Sequence, residues 1–288
     1  MSDVSLPAGK EQYSGKLPKF NRRQQTLITC VLALLLLAGI AAGGLLIDKV
    51  SVNLEIRNLP PSLDHPFGTD WLGRDMFART IEGLALSLGL GLTAAAASVV
   101  IALALGLLAA TGGKVLDNFI SWLVDLFLGL PHLVTIILIA FTLGGGFKGV
   151  LIGVALTHWP SLTRVIRAEV MQLRSADFVH VSRRFGRSRF WVATRHILPH
   201  LLPQAFVGLL LLFPHAILHE AAVTFLGFGL SPHQPAIGII LSESMRYLSG
   251  GMWWLAFFPG LSLLLMVRAF DTVGDNLRQL MDPRSAHE

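Results

Sequence analysis

The chain has 288 residues, of which 53% are hydrophobic and only 14% are charged, and its formal net charge is +5. Because a soluble domain carries about 25% charged residues, this composition argues against a water-soluble fold. A single cysteine, Cys30, excludes a disulfide framework and a cysteine metal site within the chain. In the predicted membrane topology most of the basic residues lie on or near the cytoplasmic side, so the positive-inside rule explains the charge without nucleic acid.

Six apolar segments qualify as membrane spans, since about 20 helical residues cross a bilayer core. They lie at 27–47, 84–110, 119–143, 150–166, 201–230 and 253–270. The first is too long for the apolar core of a signal peptide, which favours a retained helix. The sequence therefore predicts an all-α membrane protein with six transmembrane helices and both termini in the cytoplasm. Its predicted parts are a tail over 1–25, a membrane domain over 26–284 and a short tail over 285–288.

The region around the second span contains two patterns. The stretch "WLGRDMFARTIEGL", residues 71–84, has apolar residues at helical spacing. It predicts an amphipathic helix that lies in the membrane interface before the span. The span itself is rich in glycine and alanine, which let helix backbones approach closely. We therefore expect an inner, packed helix at 84–110.

The densest positive charge lies between two apolar segments, in "DFVHVSRRFGRSRFWVATRHILPH" at 177–200. Phe178, Val181 and Phe185 recur at helical spacing, and Gly186 interrupts the pattern. A second short helix is expected to end before Pro199. The segment 174–200 therefore predicts two short helices that meet at a glycine and form a cytoplasmic protrusion. An amphipathic interfacial helix in a basic loop is the alternative.

This segment resembles the EAA motif in the membrane subunits of ABC importers. Gly186, Leu198 and Pro199 match the motif. Four positions depart from it, namely His180, Val181, Ser182 and His196. Other blocks resemble the second permease subunit of the dipeptide, oligopeptide and nickel importers, and they lie at 65–92, 124–133, 158–179, 217–230 and 257–284. The resemblance implies a type I ABC importer permease fold in the bacterial cytoplasmic (inner) membrane.

The resemblance also implies partners and a role for the protrusion. The protrusion would be the coupling helix, which docks in a groove of a cytoplasmic ATPase through Asp177, His180, Val181, Ser182, Arg183, Gly186, Leu198 and Pro199. The expected partners are a homologous second permease, one or two kinds of ATPase subunit, an extracytoplasmic binding protein and membrane lipid. Since the chain lacks a P-loop, ATP and Mg²⁺ would be bound by the ATPase. The chain itself is expected to bind no cofactor and to catalyse no reaction.

Ionisable residues inside spans are costly and are therefore candidates for a translocation path. The candidates are Asp125, His132, His158, His215, His219 and Glu220. For Asp125, Glu220 and Asp271 we favour a structural role as pairing groups between helices or with the partner permease, with Arg268 as one candidate partner.

The histidines indicate a cargo. His215 and His219 lie four residues apart on one helix face, a spacing that can bring two imidazoles to one metal ion. Hydrogen-bonded packing histidines are the alternative. The stretches "HAILH" and "THW" resemble the nickel branch of the family, so nickel or another transition metal, free or chelated, is the predicted cargo. Dipeptide or oligopeptide import is the alternative.

Two other classes fit the sequence less well. An intramembrane metalloenzyme would use His215, His219 and Glu220, but this spacing lacks the internal glutamate of the H-E-x-x-H arrangement. A self-sufficient channel would not need a large cytoplasmic docking segment.

Overall fold

The computed structural model describes residues 22–46 and 51–281, and within them it contains helices and no strand. The greater part of the predicted N-terminal tail and all of the predicted tail over 285–288 lie outside the described residues. The α-helices are α1 (Arg22–Leu46), α2 (Met76–Thr111), α3 (Lys114–Gly129), α4 (His132–Thr142), α5 (Gly146–Arg174), α6 (Asp177–Arg184), α7 (Arg189–Val192), α8 (Leu198–Phe225), α9 (Ile237–Ser244) and α10 (Trp254–Met281). The predicted all-α class is confirmed.

By length and composition, four helical stretches in the described residues can cross a membrane. They are α2, α5, the run Arg189–Phe225 that includes α8, and Trp254–Arg278 of α10. Helices α3 and α4 form a fifth candidate, but they are bent by 98° at their junction. Helix α1 contains a shorter apolar stretch, Val31–Leu46, so the first predicted span remains a prediction.

The second span begins earlier than the sequence indicated. Helix α2 continues without a break from Met76 to Thr111, so the separate interfacial helix predicted at 71–84 is wrong. Asp75 starts the helix, because its side chain accepts a hydrogen bond from the Ala78 amide at 2.9 Å. At about 1.5 Å per residue the helix is longer than the bilayer core is thick, so its ends extend beyond the apolar layer.

The third predicted span, 119–143, is not one straight helix. Helix α3 ends at Gly129, Leu130 is extended, and Pro131 precedes the first residue of α4. A proline removes a backbone donor and disfavours a helical residue before it, which explains a break at this point. The bend places His132 at the first position of α4.

The fifth predicted span has a different start. A π-helical stretch, Ala193–Ile197, joins α7 directly to α8, so the helix end predicted before Pro199 is wrong. Pro199 is tolerated because it lies in the first turn of α8, where its missing amide hydrogen is not needed. Pro203 and Pro214 lie inside the same helix. The fourth and sixth predicted spans, 150–166 and 253–270, are shorter than the helices that contain them, since α5 and α10 extend further.

Helix α2 lies in the centre and packs along α5 and α8. A Cβ atom added at Gly106 would lie 2.7 Å from Cγ2 of Ile166 on α5. A Cβ atom added at Gly208 of α8 would similarly lie 2.6 Å from Cδ1 of Leu162 on α5. Only glycine permits these approaches, and the prediction of a packed second span is confirmed.

The basic segment is attached to this helical core. Val179 of α6, Val192 of α7 and Ile197 of the π-helical stretch are buried in one apolar cluster with residues of α2, α3 and α5. The protrusion is therefore packed against the membrane helices.

Candidate functional site

The predicted glycine elbow is present between α6 and α7. Gly186 has a φ of +75°, in the left-handed region that favours glycine. The Gly186 amide donates to the Arg183 carbonyl at 3.0 Å, and the Arg187 amide donates to the Ser182 carbonyl at 3.2 Å. These two bonds form a Schellman motif, which ends α6 in a defined geometry. The predicted helix break at Gly186 is confirmed, whereas the second helix is not a separate short one, because it continues into α8.

Side-chain contacts hold the elbow closed. The Ser182 hydroxyl donates to the Phe178 carbonyl at 2.8 Å, and it lies 3.1 Å from Nε2 of His196. Because a hydroxyl has one hydrogen, the imidazole is the donor in the second bond. Trp191 contacts the His196 ring edge-on at 5.1 Å, and the Arg187 guanidinium lies 4.7 Å from the Trp191 ring centre. The sequence analysis missed His196 and Trp191 as supports of the elbow.

The outer face of the elbow is apolar and exposed. Phe185 is 80% exposed, Phe190 is 78% exposed and Val181 is 50% exposed. The predicted coupling residues divide into two groups. The exposed group is Asp177, His180, Val181, Gly186 and Pro199, and the half-buried group is Ser182, Arg183 and Leu198.

Three histidines from different helices meet at one point inside the helical bundle. His132 begins α4, His158 lies near the middle of α5, and His219 lies in the last third of α8. Each offers one ring nitrogen such that all three nitrogens lie within 4.8 Å of one another. The ring centres are 4.6, 4.6 and 5.0 Å apart, and the rings are inclined by 74° to 81°. His158 is buried, while His132 and His219 are half-buried.

The predicted metal pair needs a correction. His215 is exposed and is not a member of the three-histidine group. Its backbone carbonyl instead accepts a hydrogen bond from Nδ1 of His219 at 2.7 Å. One helical turn does place both residues on one side of α8, but His219 turns toward α4 and α5.

The two acidic candidates have structural partners. Asp125 of α3 forms an ion pair with Arg164 of α5, and the two side chains are 65% and 57% exposed. Glu220 is fully buried between α2 and α8, where it accepts from Ser87 at 2.7 Å and from Thr224 at 3.0 Å. Both carboxylates thus have partners on other helices or on α8 itself, and these partners are different from Arg268. Their predicted places on a translocation path stay predictions. Glu220 lines no open path within the described chain.

The sequence analysis missed a charged network at the start of α2. Buried Asp70 accepts from Nε of Arg74 at 2.6 Å and from Nη1 of Arg79 at 3.1 Å. Nη2 of Arg79 also donates to Glu243 of α9 at 2.5 Å. The network thus joins the loop before α2 to the segment between α8 and α10. Glu243 lies too far from Arg79 in the sequence for spacing to reveal the contact.

Comparisons with known proteins give the family. A family model described as "Binding-protein-dependent transport system inner membrane component" matches residues 102–287. The chain is 31% identical over 235 residues to the dipeptide transport system permease protein of Bacillus subtilis (strain 168), covering 82% of this chain and 73% of that one. It is 34% identical over 286 residues to a putative peptide transport system permease protein of Brucella suis biovar 1 (strain 1330), covering 98% and 96%.

A solved structure supports the same architecture. The inward-facing MetNI methionine ABC transporter aligns with a TM-score of 0.55 at 16% identity, covering 72% of this chain and 98% of that one. At this identity the alignment shows the fold alone. The helical architecture described above is therefore a type I ABC importer permease fold.

The chain belongs to the family of binding-protein-dependent transport system inner membrane components. It is an ABC importer permease subunit, so it is not catalytic and works with a separate ATPase and a binding protein. The predicted importer class is confirmed.

Proposed function

We propose that this chain is a permease subunit of an importer of short peptides. The observation that carries this proposal is the full-length similarity, at 34% identity, to a relative named as a peptide permease. A second relative at 31% identity is named for dipeptides. These names favour the peptide alternative over nickel, and they do not support the nickel branch that "HAILH" and "THW" resemble.

The proposed complex has four kinds of component. This chain pairs with a homologous permease, one or two kinds of ATPase bind on the cytoplasmic side with ATP and Mg²⁺, and a binding protein delivers cargo from outside. Both termini of this chain lie in the cytoplasm. The exposed apolar face of the elbow, with Phe185 and Phe190, supports docking to the ATPase, because such a surface is costly to leave in water.

The elbow is suited to transmit movement. Its inner side is buried against α2, α3 and α5, and its glycine end is held by two backbone hydrogen bonds. A push on the elbow by the closing ATPase pair therefore acts on the membrane helices, and the rigid-body response alternates access to the two sides.

The Asp125–Arg164 pair supports a peptide path. Both side chains are largely exposed within this chain, so they are available on a surface that the second permease completes. A short peptide is a zwitterion, and its ammonium and carboxylate ends match a carboxylate and a guanidinium. We propose that the pair opens to contact the peptide ends during passage.

The test is uptake of labelled dipeptides and tripeptides by proteoliposomes that contain the full complex and the binding protein. We expect ATP-dependent uptake in the wild type and a clear loss in Asp125→Asn and Arg164→Gln. Asp117→Asn is the matched control, because Asp117 also binds an arginine of α5, Arg167, at 2.7 Å. Uptake of free nickel without any peptide uptake would contradict the proposal.

A further inference from the structure

We propose that His132, His158 and His219 form a binding site for a divalent first-row transition-metal ion, with the Nε2 atoms of His158 and His219 as two of its ligands. The proposal concerns a site that peptide transport does not explain. It stands on the positions and contacts of three imidazoles from three helices.

The backbone fixes the tautomer of two of the rings. Nδ1 of His158 lies 2.9 Å from the Val154 carbonyl, and Nδ1 of His219 lies 2.7 Å from the His215 carbonyl. A carbonyl oxygen only accepts, so each Nδ1 carries the hydrogen and each Nε2 carries a free lone pair. A bond from the second nitrogen to a backbone carbonyl is the usual way in which proteins orient metal-binding histidines.

His158 carries a second, independent indication. Its side chain is buried, with 6% of the residue exposed, yet Nε2 has no hydrogen-bond partner among the described residues. Leaving a buried polar atom without a partner is costly, because the atom has lost its hydrogen bonds to water. A metal ion at the centre of the three rings would supply that missing partner. Packing histidines alone would leave the cost uncompensated.

The geometry is close to that of a loaded site. Three nitrogens at about 2.1 Å from one ion lie about 3.0–3.4 Å from each other. The nitrogens here lie within 4.8 Å of one another, so loading requires each pair to approach by at most about 1.8 Å. His132 is half-buried at the first position of α4 and can rotate to provide this approach, while His158 and His219 keep their bonds to backbone carbonyls.

The ligand chemistry selects the ion. Imidazole suits nickel, copper, zinc and iron, whereas magnesium and calcium prefer oxygen ligands. Three protein ligands leave at least one coordination position open, as in sites where an exogenous ligand exchanges. The site therefore fits an ion that arrives with, or acquires, a further ligand.

Charge favours a chelated ion over a bare one. Neutral imidazoles bring no negative charge, so a bare divalent ion would place an uncompensated charge inside a membrane helix bundle. Carboxylates of a chelator would reduce that charge and fill the open positions. A peptide or another amino-carboxylate molecule provides such groups. This last step rests on the proposed peptide function, and the metal site itself does not.

The experiment measures metal bound to the full complex in nanodiscs without ATP. Samples are loaded with Ni²⁺ alone or with Ni²⁺ and citrate, desalted, and analysed for metal and retained citrate by mass spectrometry. We expect about one nickel per copy of this chain, and at least a tenfold loss of affinity in His132→Ala, His158→Ala and His219→Ala. Co²⁺ in place of Ni²⁺ should give visible ligand-field bands that the same variants lose.

His215→Ala is the matched control, since it removes an exposed imidazole one turn away but keeps the carbonyl that orients His219. It should bind metal as the wild type does. If His158→Ala fails to assemble with its partners, the two half-buried variants decide the test. Two results would overturn the site. One is equal metal binding by the wild type and a variant that carries His132→Ala, His158→Ala and His219→Ala together. The other is a loss of metal binding in His215→Ala as large as in these variants.

The two loading arms separate the sources of the ion. Citrate retained with nickel supports the preference for a chelated ion. Loading from Ni²⁺ alone supports the metal site but overturns the preference for a chelated ion. Peptide uptake in metal-free buffer, measured in parallel, reports on the proposed function separately. If the wild-type complex binds no metal but takes up peptide normally, this inference is overturned and the proposed function stands.

Discussion

The left-handed backbone at Gly186 offers a graded test of coupling. Gly186→Ala forces a Cβ atom into the left-handed region, which costs about 1–2 kcal/mol. No heavy atom lies within 4 Å of the position that this Cβ would take, so the penalty is purely conformational. Such a cost reduces the population of the native elbow by a factor of about 5 to 30 where the elbow is marginally stable.

Two further variants bracket this effect. Gly186→Asn should cost less, because asparagine tolerates the left-handed region at helix ends. Gly186→Pro should cost more, since proline fixes φ near −65° and removes the amide that donates to Arg183. We therefore expect the efficiency of coupling to fall in the order glycine, asparagine, alanine, proline.

The assay is the amount of cargo transported per ATP hydrolysed by the reconstituted complex. Alanine should lower this ratio by up to about 5- to 30-fold, while the complex still assembles. Gly129→Ala is the control, because its Cβ also meets open space but its φ is not in the left-handed region. Wild-type coupling in the proline variant would refute the argument that this backbone geometry matters.

Three further outcomes follow from the structure. Arg183→Glu reverses a charge at the end of α6 and should uncouple ATP hydrolysis from transport. A wild-type amount of cargo transported per ATP would count against docking of the ATPase at this segment. Asp70→Ala leaves buried Arg79 with one acidic partner fewer and should destabilise the protein by about 3–5 kcal/mol, seen as a lower melting temperature in detergent. An unchanged melting temperature would show that the charged network around Asp70 does not stabilise the protein. Gly208→Leu should cost about 1–3 kcal/mol by overpacking against Leu162, and a stability equal to the wild type would show that these helices do not pack closely.

Much of the helical architecture could be predicted because it depends on apolar length. The position of each long helix followed from composition, and the glycine-rich second span was correctly expected to be packed. Helix ends were less predictable. The start of α2 depends on the cap at Asp75, and the continuity at Pro199 depends on its place in a first turn. A proline signals a break only when its position in the helix is known.

The elbow and the histidine group show the same limit for sites. Gly186 was identified because a left-handed helix end is a local property with a local signal. The metal prediction paired His215 with His219 because i to i+4 spacing is visible along one helix, whereas the structure assembles His219 with His132 and His158 from two other helices. Pro131 indicates a helix break before α4, but the sequence does not give the direction in which α4 turns. That direction decides where His132 lies.

The most direct test of the central claim is ATP hydrolysis by the reconstituted complex of this chain, a second permease, the ATPase and the binding protein. Short peptides, Ni²⁺ and a nickel chelate are compared side by side. We expect short peptides to stimulate ATP hydrolysis by the complex, and we expect this stimulation to require the binding protein. A chain that transports solute alone, or a complex in which no peptide stimulates hydrolysis, would contradict this expectation.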